Sequence, residues 1–108
     1  MKYTLWLDDK RSPTFYPEVP VELKAYPLVW ARDTEQAQTT VQELGFPIFM
    51  FLDHDLGGDD ISTTFLKWLA NEYPEPPVPL AYIVLSSNIP GSKNIISFME
   101  SWKKVQPV

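Results

Sequence analysis

Cysteine is absent from this 108-residue chain and histidine occurs once. Those two absences exclude disulfides, thiolate nucleophiles, thiolate zinc sites and multi-histidine zinc centres, leaving hard, oxygen-ligated cations as the metals the sequence can hold. No apolar run approaches the roughly 18 residues that cross a bilayer. The N-terminus also lacks a basic segment followed by a long apolar stretch, so a soluble, cytoplasmic protein without a membrane partner is expected. Basic residues are in deficit, with 9 Lys and Arg against 14 Asp and Glu and a formal net charge of −5. That balance argues against docking on an extended duplex nucleic acid, which needs clustered cations. What is plentiful is core-forming material, 44% hydrophobic and 14% aromatic residues, sufficient for one domain over residues 1–108.

The acids are concentrated in two places. Of the 14, six fall at Asp8, Asp9, Asp53, Asp55, Asp59 and Asp60. In one segment the apolar run Phe49-Met50-Phe51-Leu52 passes straight into Asp53-His54-Asp55-Leu56-Gly57-Gly58. In the other, Tyr3-Thr4-Leu5-Trp6-Leu7 ends in Asp8-Asp9-Lys10-Arg11. A buried, unpaired carboxylate is costly, so acids at strand ends are expected in a crevice, hydrogen-bonded or facing a cation.

Short apolar runs predict four strands over 3–7, 28–31, 48–52 and 81–85. The third shows no polar alternation, the pattern of a central parallel strand covered on both faces. Helical spacing follows over 34–44, with Asp33 or Thr34 as N-cap and Gly45 as terminator. A second helix is expected from about 61 to 73, capped by Asp59 or Asp60 and stopped by Pro74. A third is expected over roughly 92–105, with Ser92 as an ordinary N-cap and Ile95, Phe98, Met99 and Trp102 on its apolar face. The four prolines between Pro13 and Pro27 leave room in the first connection for a loop with at most a helical turn. Strands alternating with helices predict an α/β fold with an open parallel sheet, and right-handed crossovers give the flavodoxin-like order 2-1-3-4. Ligands in such sheets bind beyond the strand carboxyl ends where the chain reverses direction. Both acidic segments end strands at that point.

Three carboxylates on adjacent loops, Asp8, Asp9 and Asp53, suit Mg²⁺ or Mn²⁺ with waters that a substrate phosphate can replace. His54, between two acids, suits a general acid near neutral pH oriented by Asp55, or else a residue that shapes the turn. Asp53 is a metal ligand or a nucleophile. Arg11 either grips a phosphate or pairs with Asp8. Ser86 and Asn88 at the fourth strand end, and Ser92 at the start of the third helix, offer donors to the same phosphate. Trp6, Trp30, Trp68 and Trp102 fall on apolar positions and are read as core, and Phe15, Tyr16, Tyr3 and Tyr26 carry no signal that separates base stacking from packing.

With these residues in place, the chain resembles a response-regulator receiver domain lacking its last strand. Asp8-Asp9 resembles the receiver acidic pair, Asp53 stands where the phosphoacceptor lies, and Ser86 matches the small hydroxyl residue ending the fourth strand. The lysine that receivers carry after a fifth strand has no counterpart. A closer resemblance is to the cyclic-phosphate processing receiver-like family. It rests on Leu7-Asp8-Asp9-Lys10-Arg11-Ser12-Pro13, on the full block Leu52-Asp53-His54-Asp55-Leu56-Gly57 and on Ser86-Ser87-Asn88-Ile89-Pro90-Gly91. Family members usually carry a histidine before that serine, where this chain has Leu85. The resemblance implies a truncated receiver fold and a metal-dependent phosphoesterase acting on a nucleotide or RNA-end phosphate, a cyclic phosphate or cyclic nucleotide among them. A non-catalytic nucleotide- or protein-binding module and a phosphoacceptor domain are the alternatives.

Overall fold

Alternation along four short parallel strands divides the apolar residues between two sheet faces. The computed structural model describes residues 1–13 and 23–104. Strands β1 (Thr4–Leu7), β2 (Leu28–Ala31), β3 (Phe49–Leu52) and β4 (Tyr82–Val84) pair in the order β2-β1-β3-β4, every neighbour parallel. This is the predicted order. Helices α1 (Thr34–Leu44) and α2 (Ser62–Glu72) form the connections into β3 and β4, and α3 (Ile89–Lys103) follows β4. The start of the first connection, with Phe15 and Tyr16, lies outside the described residues, as do the expected third-helix end at Val105 and the tail in which no further strand was expected. No described helix is long and apolar enough to cross a membrane.

One face carries the main core. Leu5 and Leu7 of β1 and Met50 and Leu52 of β3 pack with Ala37 and Val41 of α1, Phe65 and Leu69 of α2, and Ile95 and Met99 of α3. All three helices therefore lie on this side, where burial of apolar side chains drives them onto the sheet. By strand register the other face presents Trp30, Trp6, Phe51 and Ile83 side by side. Trp6 and Phe51 are buried, with ring centroids 4.8 Å apart. The unbroken apolar run of β3 thus reflects two apolar faces, but among the described residues helices cover only one.

The helix ends differ in part from the sequence reading. Asp33 caps α1 by accepting from the Gln36 N–H, and Gly45 closes it at φ 90°, both as expected. Asp60 does not cap α2. Its carboxylate accepts from the Thr34 N–H at 2.9 Å and from the Thr34 hydroxyl at 2.6 Å, so it ties the loop after β3 to the start of α1. The N-cap position of α2 is Ile61, with no side-chain cap bond. The third helix begins three residues earlier than predicted, because Asn88 supplies the cap and Pro90 fits the first turn, where its missing N–H costs nothing. Ser92 is inside that turn, its hydroxyl donating to the Ser86 carbonyl.

Candidate functional site

Ladder bonds run to the ends of the central strands and deliver the acids to one edge: the Asp8 N–H donates to the Ala31 carbonyl and the Asp53 N–H to the Leu7 carbonyl. One oxygen from each of Asp8, Asp9 and Asp53 can be chosen so that all three lie within 4.8 Å of one another. Asp8 is fully buried. Its Oδ1 accepts from the Lys10 and Arg11 N–H groups at 2.9 Å, which folds the acidic loop around it. Its Oδ2 takes the Arg11 Nε–H at 2.9 Å, and the same guanidinium reaches Asp53 Oδ1 with Nη2 at 3.4 Å. Arg11, half exposed, is therefore the cation facing both buried acids. The sequence left Arg11 between pairing with Asp8 and gripping phosphate. The structure shows the pairing and also places the residue on the cavity wall.

Asp53 is only 8% exposed. Burial first, and then repulsion from Asp8, raise its pKa to about 6, with Arg11 opposing and Asp9 reinforcing the shift. A second cation at these oxygens would relieve that cost.

Three donors outside the acids hold this loop, and the sequence reading missed them. The Trp6 indole N–H donates to the Arg11 carbonyl at 2.8 Å, and the Trp30 indole N–H to the Asp8 carbonyl at 2.7 Å. Arg32 donates through Nη2 to the Asp9 carbonyl at 2.8 Å. Trp30 is 37% exposed, so it is not the core residue its apolar position suggested. The available signal was position: an edge strand next to the acidic strand puts its side chains within reach of the loop that follows.

The loop after β3 turns back beside the acids, a Cβ at Gly57 falling 3.7 Å from Asp9 Oδ2. Asp55 and Ile61 form an antiparallel bridge, and the reversal passes through Gly57 and Gly58 at φ 97° and 56°, values that L side chains rarely adopt. A cavity of about 460 Å³ results. Asp8, Asp9, Lys10, Arg11 and Asp53 line it together with Asp55, the two glycines, Ser86 and Ser87. Of the predicted phosphate-binding residues, Arg11 and Ser86 reach this cavity. Asn88 and Ser92 are outside its lining, and both are engaged in holding the start of α3.

His54 is also outside the lining. It is 8% exposed, and its Nδ1 lies 3.1 Å from Asp55 Oδ1. The other Asp55 oxygen accepts from the Asn88 amide at 3.0 Å, and the Asn88 Oδ1 accepts from the Gly91 N–H at 3.0 Å. The Asn88 amide first, then His54, hold the exposed Asp55 carboxyl below its ordinary pKa. A Cβ at Gly91 would stand 2.5 Å from His54 Cγ, so the ring packs flush against the first turn of α3. Gly91→Ala is therefore expected to cost about 1–3 kcal/mol of stability, the usual penalty for forcing an extra methyl into a filled site. Thermal unfolding checks it: an unchanged melting temperature would show that the ring moves aside freely.

The cyclic-phosphate processing receiver domain family matches residues 3–101. No match is found among curated proteins. A solved structure of similar fold is that of NtrX from Brucella abortus, at 18% identity and TM-score 0.54, covering 94% of this chain and 27% of NtrX. At that identity the likeness shows the fold alone, and this chain spans little more than a quarter of NtrX.

Proposed function

The chain belongs to the cyclic-phosphate processing receiver domain family, and on that premise we propose that it is a divalent-metal-dependent phosphoesterase acting on a small nucleotide or RNA-end phosphate, with cyclic phosphates and cyclic nucleotides as the leading substrates. The observation that carries the reading is the meeting of Asp8, Asp9 and Asp53 oxygens within 4.8 Å on the wall of a cavity that also holds Arg11 and Ser86. These are hard oxygen donors, and burial of Asp53 beside Asp8 makes its charge costly, a cost a cation would offset, so the residues fit Mg²⁺ or Mn²⁺. When bound, the ion supplies charge neutralisation and Lewis acidity at the phosphoryl group.

The chain's own residues do the rest. Arg11 is held to Asp8 by its short Nε contact and only loosely to Asp53, so its Nη groups are available to a phosphate while the loop stays folded. The Ser86 Oγ accepts from the Asn88 N–H at 3.0 Å, which aims its own hydrogen elsewhere and leaves it free to donate to a phosphate oxygen. Asp53 would either hold the ion beside Asp8 and Asp9 or attack phosphorus as a nucleophile. His54 acts on the site through Asp55: its packing beneath α3 and its bond to Asp55 support a positioning role for the cavity rim.

Millimolar Mg²⁺ or Mn²⁺ is expected to raise the melting temperature by preferential binding to the folded state, and Asp9→Asn to abolish that gain. With the ion present, a panel of 2′,3′-cyclic and 3′,5′-cyclic nucleotides should show turnover. Metal and nucleotide binding without turnover would replace this reading with that of a binding module. Stable labelling of Asp53 by acetyl phosphate would replace it with that of a phosphoacceptor. An unchanged melting curve would remove the metal from the mechanism.

A further inference from the structure

Trp30 combines exposure with rigidity. Its indole N–H is fixed on the Asp8 carbonyl at 2.7 Å, and the Arg32 guanidinium carbon lies 5.1 Å from its ring centroid. Arg32 is itself fixed, donating to the Asp9 carbonyl. An aromatic ring that is 37% exposed yet held on its N–H and covered by a cation cannot turn away from solvent. Beside it opens a second cavity, of about 440 Å³, lined by Trp30, Asp33, Glu35, Gln36, Thr39 and Thr40.

We propose that this cavity is a nucleobase subsite, in which a base stacks on Trp30 and presents its N–H edge to the carboxylates of Asp33 and Glu35, with guanine as the preferred base. The proposal rests on the phosphoesterase reading for its phosphate end and extends it to the rest of the substrate. Three observations support it. Stacking on an indole backed by an arginine is favourable to any base. The charged side chains of the lining are both acids and accept only, which excludes a second phosphate and selects a ligand edge with adjacent donors. Guanine has such an edge in its imino and amino groups, whereas adenine offers one amino group beside an acceptor. Asp33 Oδ1 is taken by the Gln36 N–H, and Gln36 Oε1 by the Arg32 N–H, so the cavity's walls are held before any ligand arrives.

Calorimetry with Mn²⁺ tests the subsite with GMP, AMP, ribose 5-phosphate and phosphate-free guanosine. GMP should bind more tightly than AMP, and both more tightly than ribose 5-phosphate. Guanosine should bind without metal. Trp30→Leu removes the brace on the Asp8 carbonyl and so lowers binding of both ligands, but it should weaken GMP by roughly tenfold more than ribose 5-phosphate, the loss of one stacked base. Glu35→Gln should remove the preference for GMP over AMP. Equal weakening of GMP and ribose 5-phosphate by Trp30→Leu would show that Trp30 serves only to hold the Asp8 loop, and would overturn the proposal. So would GMP binding no more tightly than ribose 5-phosphate, a result that leaves the phosphoesterase reading intact. Guanosine binding with no metal-dependent gain from a phosphate would uphold the subsite and overturn the phosphate reading instead.

Discussion

Asp53→Asn is expected to raise the melting temperature of the metal-free protein and to abolish metal-dependent turnover in the same variant. The first effect follows from linkage. Folding moves the Asp53 pKa from 3.8 to about 6, so between those values the folded state binds more protons than the unfolded chain. Stability then falls as pH rises from about 4 to 6 and stays lower at pH 7, where the buried carboxylate is charged. The asparagine amide has the same shape and no charge to desolvate or to set against Asp8. Its gain at pH 7 is of order 2 kcal/mol, which in a domain of this size is about 10 °C. The second effect follows because one of the three oxygen donors for the ion is lost, a loss expected at about 10³-fold in turnover. Thermal unfolding at pH 4.5 and 7, with and without Mn²⁺, checks both. The wild-type gain on adding metal should grow over this range as the ion ceases to compete with a proton, and the variant should show neither the pH trend nor the gain. A variant that melts lower at pH 7 than the wild type would mean that the Arg11 contact outweighs the repulsion from Asp8.

The strand order and the meeting of Asp8, Asp9 and Asp53 were legible in the sequence because each rests on a short-range signal with a single global solution. Four apolar runs separated by helical spacing admit few right-handed arrangements, and the one with β1 and β3 adjacent brings both acidic strand ends together. The helix over 34–44 was legible for a similar reason, since Asp33 and Gly45 are local caps that act within their own turn. What was not legible depends on distant partners. Asp60 looks like a local cap for the helix that follows it, yet its oxygens are bonded 26 residues away to Thr34. Trp30 has the pattern of a core strand residue, but at the sheet edge its ring is half outside and its N–H becomes a brace for the acidic loop. Ser92 was expected as the cap of the third helix, whereas Asn88 supplies it and Pro90 falls in the first turn. In each case the residue type was compatible with two partners, and only the packed sheet chose between them.

That dependence on packing also separates the two readings of His54, through an expected result on His54→Ala. The ring is buried, lies against Gly91 and contributes no surface to the cavity wall. Its removal leaves a hole beneath α3 and releases Asp55 from one of its two side-chain partners. The expected cost is about 2–4 kcal/mol, by analogy with other large-to-small changes in filled sites, and a fall in melting temperature of more than about 10 °C. Metal binding and turnover per folded molecule should remain within about tenfold of wild type, because Asp8, Asp9, Asp53 and Arg11 are held by other contacts. A general acid gives the opposite pattern: near-normal melting and turnover lower by roughly 10²- to 10⁴-fold. The pairing with Gly91 supplies a second, independent readout. In the wild-type background Gly91→Ala meets the ring, whereas in His54→Ala the methyl enters the space the ring has left. The two costs should therefore be strongly non-additive, with the double variant more stable than their sum by more than about 1 kcal/mol. Strict additivity, together with a stable but inactive His54→Ala, would move the histidine from the frame of the site into its chemistry.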